Sequence, residues 1–158
     1  VTAERFQLVH ATQPERVEQA RGLVLEYVES LGIDLDFQDF EAEMREFPGD
    51  YAAPDGSLLL AVEEQGPAGC VGVRKLEPGI CEMKRLYIRP RCRGQGLGER
   101  LARAIIEEAR ALGYTAMRLD TLDTMHPAIR LYRGLGFEPT APYYRNPLRG
   151  ALFFELKL

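Results

Sequence analysis

The sequence predicts an α/β domain built around a mixed β-sheet. Three features lead to that class. Apolar runs of strand length near both ends of the chain are set off by short turns rich in Gly and Pro, as antiparallel neighbours are. The second half alternates strand with helix instead, and a strand–helix–strand order implies a parallel pair. Apolar residues recurring at three- and four-residue intervals mark the helices in between.

Taken in order, Arg5-Phe6-Gln7-Leu8-Val9-His10 alternates well enough to form a first strand. Pro14 suits the first turn of a helix, with Thr12 or Gln13 near its cap. Val17, Ala20, Val24, Tyr27, Val28 and Leu31 lie on one stripe of that helix, and Gly32 stops it. Phe37, Phe40, Met44 and Phe47 predict a shorter helix ending at Pro48-Gly49. Pro54-Asp55-Gly56 turns the chain into a buried strand, Ser57–Glu64. Gln65-Gly66-Pro67-Ala68-Gly69 reads as the loop to a partner strand, Cys70–Leu76, and Pro78-Gly79 turns the chain again into Cys81–Ile88.

A glycine-rich basic loop, Arg89–Gly98, then opens a helix with Leu101, Ile105, Ala109 and Leu112 on one face and Gly113 as its stop. Ala116–Leu122 is a strand and Pro127–Gly134 a short helix. Phe137 begins another strand, and Ala151–Leu158 forms the last, with Leu152, Phe154, Leu156 and Leu158 on one face. The mixed sheet should therefore be mostly antiparallel, with a parallel pair at its centre and helices on its flanks.

Composition narrows the function. The 158 residues predict a single domain spanning 1–158, at roughly 100–200 residues per domain. With 46% hydrophobic and 28% charged residues, disorder and collagen-like structure are excluded. A net charge of −4 argues against a dedicated nucleic-acid binder. The longest apolar run, Leu58–Val62, is too short for a membrane span, and no secretory signal opens the sequence. Cys70, Cys81 and Cys92 form no C-x-x-C pair, and only His10 and His126 could add imidazole, so no metal centre is expected. A reduced, cytoplasmic domain follows.

The segment from Glu82 to Gly98 carries the chemistry. A strand leads into a loop holding Gly94, Gly96 and Gly98, and the loop opens a helix. Glycines let the main chain approach an anion, and the first N–H groups of a helix lack intrahelical partners at its positive end. Such a turn suits a phosphate or pyrophosphate. Seven cations between Lys84 and Arg103 (Lys84, Arg85, Arg89, Arg91, Arg93, Arg100, Arg103) face Glu99 alone, which favours an anionic ligand. No Lys-Ser or Lys-Thr follows the glycines, which excludes a Walker loop. The spacing G-x-G-x-G is one residue short of a dinucleotide fingerprint, although Asp120 could imitate its ribose-binding acid.

Arg93-Gly94-Gln95-Gly96-Leu97-Gly98 resembles the R/Q-x-x-G-x-G/A pyrophosphate loop of the GNAT (general control non-repressed-related) acetyltransferase superfamily. Ala128-Ile129-Arg130-Leu131-Tyr132-Arg133-Gly134-Leu135-Gly136-Phe137 is similar to its second signature, A-x-x-L-Y-x-x-x-G-F. The resemblance runs over nearly the whole chain and implies a GNAT-like fold with a splayed central pair of parallel strands. It implies acetyl-CoA as co-substrate, no metal, and a primary amine of a small molecule or peptide as acceptor. Leu86, Tyr87 and Ile88 would pair with the pantetheine arm. Arg93, Gly94, Gln95, Gly96, Leu97 and Gly98 would hold the pyrophosphate, with Glu99 beginning the supporting helix. Where the family often carries Asn, six residues before the helix tyrosine, this chain has His126, whose imidazole would take over the cofactor contact. The oligomeric state, monomer or homodimer, stays open.

Acyl transfer to an amine needs a neutral nucleophile, a polarised thioester and a proton for the departing thiolate. Tyr132 matches the family's sulfur-facing acid, and Glu82, on the strand entering the loop, matches its base. Twelve acids against Arg45 between Glu26 and Glu64 suggest a rim that attracts a cationic amine. Tyr143, Tyr144, Arg145, Asn146 and Arg149 could instead hold a carboxylate or an aromatic group. A non-catalytic acyl-CoA sensor of the same fold is the competing expectation.

Overall fold

Residues 5–36 and 39–158 are described by the computed structural model, so Phe37 of the aromatic stripe lies outside the described residues. The sheet is built from β1 (Gln7–His10), β2 (Ser57–Glu63), β3 (Gly66–Glu77), β4 (Ile80–Ile88), β5 (Ala116–Leu122), β6 (Glu138–Pro139) and β7 (Ala151–Lys157). Its spatial order is β1-β2-β3-β4-β5-β7-β6, and every neighbouring pair is antiparallel except β4–β5. The helices are α1 (Pro14–Leu31), α2 (Phe40–Glu46), α3 (Leu97–Ala111) and α4 (His126–Gly134).

Apolar residues alternate between two cores, one on each face of the sheet. In β2, Leu59 and Ala61 join the α3 side while Leu58 and Leu60 join the α1 side, so the whole run is apolar. On the first face, Leu97, Leu101, Ile105 and Ala109 of α3 pack with Met117, Leu119 and Phe154. On the second, Ala20, Leu23 and Val24 of α1 and Met44 of α2 pack over Leu58, Leu60 and Tyr87. The predicted face of the last strand holds: Phe154 is buried, and Leu152, Leu156 and Leu158 pack against the same cluster.

Several boundaries differ from expectation. The stretch read as a loop from Gln65 to Gly69 is mostly strand, because the turn tightens to Glu64-Gln65 and β3 starts at Gly66. A register shift at Ala61/Val62 absorbs the irregular pairing there. Phe137 anchors the core but precedes its strand, which is only Glu138–Pro139. After α2 the chain makes a short 3-10 turn, Gly49–Tyr51, whose Tyr51 ring fills the space over Gly72.

Ile105→Ala removes a fully buried side chain from the α3 seam. Urea denaturation should show a loss of roughly 2–5 kcal/mol with a cooperative transition retained.

Candidate active site

β4 and β5 pair at only three positions: Ile80↔Ala116, Cys81↔Met117 and Glu82↔Arg118. Beyond them β4 runs on to Ile88 and β5 to Leu122, each still paired with its outer neighbour but no longer with the other. The inner edges of the two strands therefore present peptide groups to an extended ligand. Pairing of β3 with β4 skips from Cys70↔Tyr87 to Gly72↔Lys84, so β4 carries one extra residue there. Arg85 sits in that bulge with φ 63°, a left-handed conformation uncommon for a residue with a side chain. Gly69 lets β3 stay close alongside, since a Cβ there would lie 2.7 Å from the Tyr87 carbonyl oxygen.

The fork holds a cavity of about 70 Å³, walled by Met83–Leu86 of β4, Leu119–Leu122 of β5, Tyr27 of α1 and Tyr132 of α4. Of the three residues expected along the cofactor arm, Leu86 lines this cavity and Ile88 packs on the α3 core. Tyr87 points to the opposite face, stacked on Tyr27 at 5.3 Å and donating to Glu26 Oε2 at 2.7 Å. Any contact from Tyr87 to a ligand in the fork would thus come from its main chain.

The loop beyond β4 has the shape an anion needs. Gly94 and Gly96 take φ of 74° and 78°, and a Cβ on either would meet no protein atom within 4 Å. That space is open to a ligand. The first helical bond of α3 runs from Arg100 N–H to the Gly96 carbonyl (3.1 Å), so Leu97, Gly98 and Glu99 present N–H groups at the positive helix end. Gln95 Oε1 accepts from Arg5 at 2.6 Å, and Arg93 Nε donates to the Ile88 carbonyl at 2.9 Å, bracing the loop from both sides. The Glu99 side chain is exposed and pairs with Arg103, leaving only its backbone at the turn.

The basic surround is weaker than its residue count. Lys84 pairs with Asp120, Arg85 with Glu43, Arg89 with Glu26, Arg91 with Glu63 and Arg103 with Glu99. Except for Glu99, one helical turn from Arg103, these are acids distant in sequence that have folded onto the cations. Arg93 and Arg100 donate to carbonyl oxygens, of Ile88 and Phe6, and keep their charge beside the loop.

Tyr132 lies on the cavity wall, 8% exposed, with its ring edge-on to Phe137 at 5.8 Å. Burial raises its pKa well above the ordinary tyrosine value, reinforced by Tyr27 and Asp120. Its hydroxyl has no hydrogen-bond partner among the described residues. Glu82 is 2% exposed and lies outside the cavity wall: Arg74 Nε donates to one oxygen at 3.0 Å and the Tyr143 hydroxyl to the other at 2.5 Å. His126 is exposed as the first residue of α4 and does not line the cavity, whereas its neighbour Met125 does.

Sequence reasoning missed a buried ionic lattice on the α1/α2 side of the fork. Arg85 binds Glu43 through two hydrogen bonds of 2.8 and 3.0 Å, Arg74 binds Glu82, and Lys84 Nζ lies 3.5 Å from Asp120 Oδ1. Tyr144 and Asn146, from the segment before β7, both donate to Asp120 Oδ2. Burial lowers the Lys84 pKa, opposed by Glu82 and Asp120. The only sequence signal was one acid in β5 and adjacent cations in β4, with nothing to bring them together.

In this chain a parallel pair forks beside a glycine-opened helix. The chain belongs to the acetyltransferase (GNAT) family, whose model matches residues 24–137. It is 44% identical over 147 residues to an uncharacterized N-acetyltransferase of Schizosaccharomyces pombe, covering 92% of this chain and 90% of that one. In fold it is similar to an acetyltransferase from Streptococcus agalactiae (TM-score 0.79, 18% identity, 98% of this chain and 99% of the other). It is likewise similar to a Salmonella typhimurium protein solved with acetyl-CoA as its cofactor (TM-score 0.69, 20% identity, 98% and 94% covered). Among the described residues no helix is long and apolar enough to cross a membrane.

The Glu43–Arg85 pair makes stability depend on pH. Burial alone would raise the Glu43 pKa, but hydrogen bonds and charge from Arg85 outweigh it and hold the carboxyl below its ordinary value near 4.5. A depressed folded pKa stabilises the protein above the unfolded value and loses that contribution as pH falls through the folded one. Urea midpoints should therefore drop below about pH 4.5. Glu43→Gln should be destabilised by about 3–5 kcal/mol at pH 7, with a flatter acid limb.

Proposed function

We propose that the protein transfers the acetyl group of acetyl-CoA to a primary amine by direct attack in the fork between β4 and β5. The observation that carries this reading is the fork itself: two parallel strands part after Glu82 and Arg118, and Tyr132 stands on the wall of the cavity they open. The free inner edge of β4 at Leu86, Tyr87 and Ile88 suits the amides of a pantetheine arm, and the turn from Arg93 to Glu99 suits its pyrophosphate. Bound there, acetyl-CoA supplies the activated thioester. His126, exposed at the start of α4, is assigned a contact with the outer part of the cofactor.

Tyr132 is assigned the proton for the departing thiolate. An ordinary tyrosine, with a pKa of ~10 against ~8.5 for a cysteine-like thiol, is uphill by roughly 2 kcal/mol. Burial widens that gap, so transfer is concerted with C–S cleavage and proceeds as thiolate charge develops. Glu82 is assigned the proton shed by the acceptor's ammonium. With Arg74 and Tyr143 on its carboxylate, that proton arrives through the Tyr143 hydroxyl or an intervening water. Arg74 fixes the orientation of the Glu82 carboxylate through a 3.0 Å hydrogen bond.

Calorimetry of acetyl-CoA with the purified protein, followed by thiol release over a panel of amines, tests the reading. Micromolar binding and turnover of at least one amine are expected. No binding at millimolar concentration removes it, and binding without turnover across the panel favours a non-catalytic sensor. Tyr132→Phe should lower kcat about 100-fold while leaving acetyl-CoA affinity nearly unchanged. Gly96→Asp keeps a residue that tolerates positive φ but places a carboxylate at the loop. It should weaken acetyl-CoA binding about 10-fold or more by calorimetry.

A further inference from the structure

We infer that the acceptor is a zwitterion, an amine with a carboxylate on the adjacent carbon, and that the Lys84–Asp120 pair at the fork reads both of its charges. The inference rests on the acetyl-transfer reading and names the substrate class for that same cavity. Lys84 and Asp120 stand two residues beyond the last paired position, Glu82↔Arg118, one on each strand. Their charged groups therefore bridge the point where the strands part. Both side chains are buried (6% and 8% exposed), and both residues line the cavity.

The other ion pairs of the lattice are tighter. Glu43 grips Arg85 through two hydrogen bonds, and Glu82 is held by Arg74 and Tyr143. Lys84 and Asp120 are separated by 3.5 Å, longer than a direct hydrogen bond. Asp120 is oriented by Tyr144 and Asn146 on its other oxygen, which leaves Oδ1 turned to Lys84. The charged groups around the pair are Glu82, Arg74, Arg85 and Glu43, and Tyr27 and Tyr132 line the same cavity. Glu43, Glu82 and Asp120 are thus balanced by Arg74, Lys84 and Arg85.

That balance selects the ligand. A simple amine entering as an ammonium would take Asp120 and leave Lys84 buried beside an extra positive charge, which is costly. An anion without an amine would do the reverse. A zwitterion inserts between the two, its ammonium on Asp120 and its carboxylate on Lys84, and leaves no buried charge without a partner. The ammonium is then held on a strand wall of the fork, and passing its proton to Glu82 through the Tyr143 hydroxyl or a water makes it the nucleophile for a thioester bound there. A peptide N-terminus offers Lys84 only an amide carbonyl where the carboxylate would be.

The test measures thiol release at saturating acetyl-CoA for amino acids with acidic, basic, aliphatic and aromatic side chains. Each is run beside its carboxamide and its decarboxylated amine. At least one free amino acid should be turned over with kcat/KM about 100-fold above both partners. Lys84→Met should compress that ratio below about 10-fold, mainly through KM of the acid, and Lys84→Arg should restore much of it. Amide or amine used as well as the acid overturns the inference, and an amide preferred over its acid points to peptide N-termini. An unchanged ratio in Lys84→Met also overturns it. If Lys84→Met fails to fold, the wild-type ratio decides alone. Failure of the acetyl-transfer reading looks different: acetyl-CoA does not bind, or no compound releases thiol. Calorimetry of the same acids and amides then still decides, with acid-selective binding supporting the zwitterion site and equal or absent binding overturning it.

Discussion

The site depends on two parallel strands failing to stay together. β4 and β5 begin in register at Ile80 and Ala116 and part after three pairs. An unpaired strand edge inside a protein is costly unless something occupies it. The split is held open from both sides. β3 keeps hold of β4 through a bulge centred on Arg85, and β7 keeps hold of β5 along its full length. Each strand thus has one satisfied edge and one edge facing the cleft, and the glycine turn at Gly94–Gly98 lies beyond the open end of β4.

Charge is distributed with the same logic. The basic residues that crowd the sequence around the glycine loop are mostly neutralised by acids from α1, α2, β2 and β5. What remains for an anion is the main chain of the loop, the end of α3, and two arginines bonded to carbonyl oxygens. On the other side of the fork, cations and carboxylates alternate in a largely buried lattice, in which Glu43 holds Arg85 in its left-handed conformation. On the proposed reading, that lattice selects acceptors that leave no buried charge without a partner.

Local chemistry made much of this legible beforehand. The strand Ala116–Leu122 follows from its alternation, whereas α3 opens at Leu97, two residues before the expected Glu99, because Gly96 already caps it. Tyr132 was found because its motif places it on a short amphipathic helix, and it does face the cavity. Glu82 lies on the strand that the sequence predicts, but its engagement by Arg74 and Tyr143 involves partners from neighbouring elements. The helix expected from Pro127 starts at His126, whose side chain is exposed, while Met125 before it lines the cavity.

The amino-acid sequence by itself determined the element order, the glycine turn and the two-faced core, since these follow from periodicity and from the conformations glycine and proline permit. Where the central strands part, and which ionic side chains meet across the gap, was decided only in three dimensions. Those outcomes depend on register and on pairs separated by tens of residues, such as Glu43 with Arg85 and Lys84 with Asp120. Neither charge carries any local signal of its partner.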